Sequence, residues 1–207
     1  MKQPFNPLDR HNLAKAVATQ IEEREAVPLD VAGTYTHRNN FPGAGVYAIY
    51  YNGDFEPYNR LTAANADGPK YPIYVGKAIP DGGRKGLEDE GVATKALTRR
   101  LREHRASIIE AENLSIDDFH MRWLLVEDIW IPLGESAMIR RYRPVWNAVV
   151  DGFGNHDPGS GRGKGLRSQW DTLHPGRKWA HKYPARPADT ADLIAQEARQ
   201  YLDTRLS

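Results

Sequence analysis

Four places in the chain carry polar groups that a buried core does not need. Tyr47 ends the run Gly45-Val46-Tyr47, and Tyr74 and Lys77 frame the run Tyr74-Val75-Gly76-Lys77. Arg100 and His104 stand four residues apart, which makes them neighbours on one helix face. Glu135 stands at the start of a helical pattern that leads to Pro144 and Asn147. Phenol and imidazole move protons, guanidinium and ammonium hold anions, and a carboxylate is a hard oxygen ligand for a divalent cation. Each group also has a plainer reading. A strand tyrosine sits half-buried with its hydroxyl at water. Lys77 is then a strand-end surface lysine, Arg100 and His104 a solvated pair, and Glu135 a complement to a helix N-terminus. No single group outweighs its plainer reading; the ordered combination does.

The elements that must position these groups are legible in outline. Asn6-Pro7 reads as an N-cap followed by proline at the first helical position. Leu13, Val17 and Ile21 then recur every four residues, which predicts a helix to about Arg24, ended before Pro28. Residues 30–42 read as a polar connection. The β-branched and aromatic run 45–51 predicts a strand, and Asn52-Gly53 is a hairpin-turn dipeptide. An insertion containing Pro57 and Pro69 precedes a second strand at 71–78, and a Gly-rich insertion at 79–92 follows it. Thr94 is placed to cap the next helix, where Leu97, Leu101, His104 and Ile108 share one face. A third strand is expected over 119–127, then a helix from Pro132 to about Arg141, stopped near Pro144. Residues 151–166 are Gly-rich loop. Asp189 is the expected cap of a last helix with Ile194, Ala198, Tyr201 and Leu202 on its inner face. The order β-β-α-β-α predicts an α+β domain: a small mixed or antiparallel three-stranded sheet flanked by helices. The expected organisation is an N-terminal helical arm (1–40), a catalytic core with two insertions (41–150), and a Gly-rich basic segment with a C-terminal helix (151–207), packed as one compact unit.

A length of 207 residues suits one domain with elaborations, and 40% hydrophobic with 27% charged residues is a globular composition. No apolar run approaches the ~20 residues that a membrane span needs. The N-terminal run MKQPFNPLDR has no apolar core, unlike a secretory signal. Absence of cysteine excludes disulfides and thiolate metal sites, and the expected location is cytoplasmic. The net charge of +1 hides a clustered distribution. Arg99, Arg100, Arg102 and Arg105 crowd one segment; Arg140, Arg141 and Arg143 crowd another; Arg162, Lys164, Arg167, Arg177 and Lys178 lie toward the C-terminus. Such clusters are solvated helix faces or phosphate contacts, because nucleic acid binding needs cations where the phosphates lie rather than a basic total.

The ordered set resembles the GIY-YIG nuclease family. Gly45-Val46-Tyr47 stands for the GIY element and Tyr74-Val75-Gly76 for the YIG element, Arg100 matches the family's helix arginine, and Glu135 its helix glutamate. The run ESAMIRRYRPVWN (135–147) is similar to the family's last helix and its exit, so the likeness covers about residues 43–150. A closer likeness is to the small type II restriction endonucleases of this family that recognise CCGCGG. It extends into VWNAVVDGFGNHDPGSGR (145–162) and WDTLHPGRKWA (170–180). Many family members carry tyrosine where this chain has His104, whereas the restriction branch carries histidine. The two insertions depart from the minimal domain.

The resemblance implies a sequence-specific, Mg²⁺-dependent restriction endonuclease that cleaves double-stranded DNA and leaves 3′-hydroxyl and 5′-phosphate ends. Phosphodiester hydrolysis needs an activated water, charge neutralisation at the phosphoryl group and help for the leaving oxygen. Glu135 is the implied ligand of one Mg²⁺ per active site, an ion that takes few carboxylates. Tyr47 is the candidate base or relay. A free phenol has a pKa near ~10, so Tyr47 needs Lys77 or a metal-bound water to favour phenolate. Arg100 is expected to grip the scissile phosphate, His104 and Tyr74 to orient water or phosphate, and Asn147 to brace the site. Arg99, Arg102, Asn155, His156, Arg162, Lys164, Arg167 and Arg177 are the expected DNA contacts, with segment 151–168 wrapping the duplex. A palindromic target implies a homodimer on DNA, with a cognate DNA methyltransferase as the functional partner and no membrane. The alternatives are a structure-specific DNA repair nuclease and a non-catalytic DNA-binding module of the same fold.

Overall fold

The computed structural model describes residues 10–33, 43–80, 94–157 and 165–207. The β-branched and aromatic runs form β2 (Gly45–Tyr51), β3 (Pro72–Ala78) and β4 (Phe119–Leu125), joined by a two-residue β1 (Val27–Pro28). All pairs are antiparallel and the order is β1-β4-β2-β3. The three expected strands are therefore present, and β1 adds a fourth by pairing Val27 with Met121. Every residue of β2 is buried, as a central strand covered on both faces requires. Its first residue must be glycine: a Cβ on Gly45 would lie 2.0 Å from the Leu124 carbonyl oxygen of β4.

Side-chain alternation assigns the two faces. His104 of α3 (Ala96–Glu110) meets Tyr47, whereas Gly134 of α4 (Ile131–Tyr142) lies against Val46. Helices α3 and α4 therefore cover opposite faces of the sheet. Leu97, Leu101, His104 and Ile108 are the buried stripe of α3, as their spacing predicts. The Thr94 hydroxyl accepts from the Ala96 amide at 3.2 Å. Helix α1 (Arg10–Glu22) packs on α4; the Asn6-Pro7 start lies outside the described residues.

The insertion expected after Asn52-Gly53 is present and runs through a 3-10 turn (Glu56–Tyr58) and α2 (Asn59–Ala64) before β3. Asn65 ties the ends of this insertion together. Its amide nitrogen donates to the Tyr51 and Tyr71 carbonyls, and its amide oxygen accepts from the Lys70 and Tyr71 amides. Helix α4 ends at Arg143, which takes the left-handed conformation (φ 46°), and α5 (Val145–Ala148) follows Pro144. Ser168 caps α6 (Gln169–Leu173). Helix α7 (Ala191–Arg205) is capped by Thr190, whose hydroxyl accepts from the Leu193 amide, rather than by Asp189. Phe153, Trp170, Leu173, Ile194, Ala198 and Leu202 join the same core as the sheet. No helix among the described residues is long and apolar enough to cross a membrane.

Candidate active site

The sheet register builds the site around edge strand β3. Tyr47 stands opposite Gly76, and Ile49 opposite Tyr74, so Tyr47 and Tyr74 share the face that α3 covers. Gly76 admits the Tyr47 ring: a Cβ there would fall 2.3 Å from the phenol oxygen. Asn147 of α5 holds the outer side of β3, its oxygen accepting from the Val75 amide (2.8 Å) and its nitrogen donating to the Val75 carbonyl (2.9 Å). That double bond fixes the residue between Tyr74 and Gly76, so Asn147 acts on the site by positioning the strand.

Tyr47 is fully buried, and its hydroxyl lies 2.6 Å from His104 Nε2. Burial pushes the phenol well above its ordinary value, and the nearby Tyr74 oxygen adds to the rise, against the opposing Arg100 charge. His104 is held in place by Phe153, stacked at 4.5 Å, and by the Tyr74 ring at 5.2 Å. Burial drives its imidazole well below the ordinary range, and the charges of Arg100, His156 and Arg177 deepen the shift. At neutral pH the pair is therefore an uncharged phenol facing an uncharged imidazole. In the tautomer with the proton on Nδ1, the Tyr47 hydroxyl donates to Nε2.

Arg100 closes the other side. Its guanidinium lies against the Tyr47 and Tyr74 hydroxyls and donates to the Gly154 carbonyl (2.8 Å) and Glu103 (3.0 Å). It also meets the exposed His156 ring. Glu103, three residues on along α3, was not singled out from the sequence; its spacing from Arg100 is the signal that could have found it.

Lys77 departs from its expected partner. Three residues after Tyr74, it points to the opposite face, and its ammonium pairs with Glu135 at 2.6 Å. Tyr47 thus has a histidine as its proton partner, and the nearest acid–base complement of Lys77 is the α4 carboxylate. Glu135 is largely covered, with 18% of its side chain exposed. A single carboxylate still partly open to solvent suits Mg²⁺, which keeps several waters and takes one or two carboxylates, and the ion would share that carboxylate with the Lys77 ammonium. Among the described residues no group of three or more histidine, aspartate or glutamate side chains gathers as a metal cage.

The expected DNA contacts separate. Arg99 is exposed on α3, while Arg102 is half-buried and donates to the Ala32 carbonyl (3.0 Å). Asn155 and His156 are exposed, His156 against Arg100; Arg167 is half-buried, and Arg162 and Lys164 lie outside the described residues. Arg177 is the correction. It is 2% exposed, ion-paired to Asp171 at 2.6 Å, and out of reach of any duplex in this conformation.

A family model described as the Eco29kI GIY-YIG domain matches residues 39–202, well over half of the chain and beyond the 43–150 core read from the motifs. No curated protein matches significantly.

Proposed function

The chain belongs to the Eco29kI GIY-YIG domain family, and from that premise we propose that it is a type II restriction endonuclease. It cleaves double-stranded DNA at a palindrome, CCGCGG on the resemblance, with Mg²⁺ and as a homodimer on the DNA. A cognate methyltransferase protects the host sequence. One observation carries the reading: Tyr47, Tyr74, Arg100 and His104 converge on one sheet face, and the Glu135–Lys77 pair stands across edge strand β3, near enough for the Glu135 charge to reach both phenols.

The chain's own groups divide the work. The attacking water gives a proton to the Tyr47 oxygen as Tyr47 passes its own proton to His104 Nε2, 2.6 Å away. This relay avoids a free phenolate, which burial disfavours. The imidazolium so formed is offset by the negative phosphoryl group that develops beside it. Arg100 binds two phosphoryl oxygens through its guanidinium fork. Tyr74 orients water or phosphate through its hydroxyl. Glu135 would hold the divalent ion, which when bound would neutralise charge on the phosphoryl group and the leaving 3′-oxygen. Arg99, Arg102, Asn155, His156, Arg162, Lys164 and Arg167 form the DNA-contact set.

The test is digestion of a plasmid of known sequence in MgCl₂ and, in parallel, in EDTA, with both cut ends sequenced. Cuts at one palindrome, with 5′-phosphate ends and only in MgCl₂, support the reading. Cleavage that follows branched or gapped structure instead of sequence identifies a repair nuclease. Binding without cleavage identifies a non-catalytic module.

A further inference from the structure

The segments DGFGNH (151–156) and WDTLHPGRKWA (170–180) are separate in sequence, and no catalytic role above accounts for either. In the fold they form one device, with Arg177 at its centre. Every donor group of this buried guanidinium is used. Nε and Nη2 make a bidentate pair with Asp171 at 2.6 and 2.8 Å. Nη2 also donates to the Gly152 carbonyl (3.0 Å), and Nη1 to the Phe153 and Asn155 carbonyls (3.1 Å each). Its plane is flanked by Trp170 and Trp179, at 4.5 and 4.8 Å from their ring centroids. Ser168 steadies Asp171 from behind, its hydroxyl donating to the carboxylate at 2.6 Å.

The three carbonyls that Arg177 gathers belong to the turn that touches the catalytic face. From the middle of that turn, the Gly154 carbonyl accepts from Arg100 at 2.8 Å, and Phe153 stacks on His104. The buried Phe153 ring packs the middle of the turn, but Gly152 and Gly154 bring no side chain, so the carbonyls on either side of it are held by what they bond to. We propose that Arg177 is a positioning residue for DNA cleavage: anchored by Asp171, it fixes the 152–155 turn, and the turn's Gly154 carbonyl fixes Arg100. The role rests on the nuclease reading above. It also explains why the likeness to the restriction branch extends through both segments. A lysine cannot replace the guanidinium, because one ammonium has neither the fork for Asp171 nor the reach to three carbonyls.

The experiment is a double-mutant cycle of Arg177→Lys with Arg100→Ala, read by single-turnover cleavage of the cognate duplex, with DNA affinity measured in parallel. The Arg177→Lys single variant should cleave roughly 10–100-fold more slowly with affinity within about threefold, since a displacement near 1 Å at a positioning residue costs about that much. In the Arg100→Ala background the same change should cost no more than about threefold, because the route through Arg100 is already cut. Equal losses in both backgrounds, or parental cleavage by Arg177→Lys, overturn the proposal. If Arg177→Lys does not fold, Asp171→Asn replaces it in the same cycle, keeping the side-chain volume while removing the charge that anchors the guanidinium. A second readout does not need catalysis: the ¹⁵N signal of the Arg100 Nε–H, assigned by its loss in Arg100→Lys. It should shift from its parental position in the folded Arg177→Lys or Asp171→Asn protein, because the guanidinium loses its Gly154 partner. An unmoved signal overturns the proposal, even should the parent prove not to cleave DNA, an outcome that would by itself count only against the nuclease reading.

Discussion

Replacing Tyr47 with phenylalanine removes one oxygen and leaves the ring that fills the space beside Gly76 and His104. The structural cost is then the bond to His104 Nε2, whose nitrogen is left in a buried site without its 2.6 Å partner. An unsatisfied buried polar atom costs about 1–3 kcal/mol. In a chain of this size each kcal/mol lowers the melting temperature by roughly 2–4 °C. The protein should therefore still be folded at assay temperature. Catalysis should fall far more, by about 10²–10⁴-fold, because the proton relay begins at the lost hydroxyl. Tyr58 supplies an internal control: its hydroxyl lies 2.7 Å from His174 Nε2, fully buried, and touches no group of the candidate site. Tyr58→Phe, which leaves Trp146 Nε1 as well as His174 without its partner, should cost at least as much stability and leave single-turnover cleavage within about threefold of the parent, the change expected when only structural bonds are lost. The assay pairs calorimetric melting with single-turnover cleavage for both variants. Tyr47→Phe retaining parental cleavage would refute the relay and make Tyr47 core filler.

Glu135→Ala should abolish cleavage while DNA affinity stays within about tenfold, since a lost metal ligand spares the phosphate contacts; comparable Mg²⁺-dependent turnover by the variant removes Glu135 as the ligand. Acid should destabilise the fold before the carboxylates titrate. His104 and His174 both have folded values pushed down by burial, His174 to about 3, so the unfolded chain binds protons that the folded chain refuses. Their contribution is present above the ordinary histidine value and is lost as pH falls below it, at up to about 1.4 kcal/mol per pH unit for each histidine. Urea unfolding between pH 6.5 and 5 should show this slope, and His174→Gln should reduce it by about half; an unchanged slope in that variant rejects the assignment. Arg162, Lys164 and Arg167 changed together to Ala should weaken DNA affinity and flatten its salt dependence by up to about three units of slope. A parental slope would make the 151–168 segment a connection and not a DNA contact.

The long elements were legible because each carries a local signal. Strands β2, β3 and β4 show in their β-branched and aromatic runs, and the α3 stripe shows in the spacing of Leu97, Leu101, His104 and Ile108. Pairings between distant segments were not legible. The two-residue β1 contains a proline and has no period to read, and α5 and α6 span only four and five residues. The Tyr47–His104 bond joins residues 57 apart and depends on both the phase of α3 and the register of β2. Lys77 is different, because strand alternation alone separates it from Tyr74, and the pairing with Tyr47 neglected that rule. Arg177 misled for a physical reason. In sequence it stands among glycine, lysine and histidine, as a phosphate-binding arginine would. Its burial is decided by Asp171, Trp170 and Trp179 from its own run together with the Gly152, Phe153 and Asn155 carbonyls, which only the fold brings around it.

The two buried Tyr–His pairs also bear on whether the domain is catalytic or a degenerate module. Tyr58 and His174 form a closed network: Trp146 donates to the Tyr58 oxygen, and His174 Nδ1 meets the Asn113 side-chain oxygen. Both rings have their polar atoms bonded, and the pair does what a structural pair must. Tyr47 and His104 are buried to the same degree, yet their surroundings are those of an anion site. Arg100 stands against the phenol, Tyr74 lies beside it, and Lys77 pairs with Glu135 across the edge strand. Burying a polar group carries a cost that an apolar side chain of like volume avoids. A module that only bound DNA through surface cations would be at least as well served by Phe at 47 and Leu at 104, packed against Phe153. A phenol and an imidazole at proton-transfer distance, with a guanidinium at the shared oxygen, make physical sense where a proton has to move next to a phosphate.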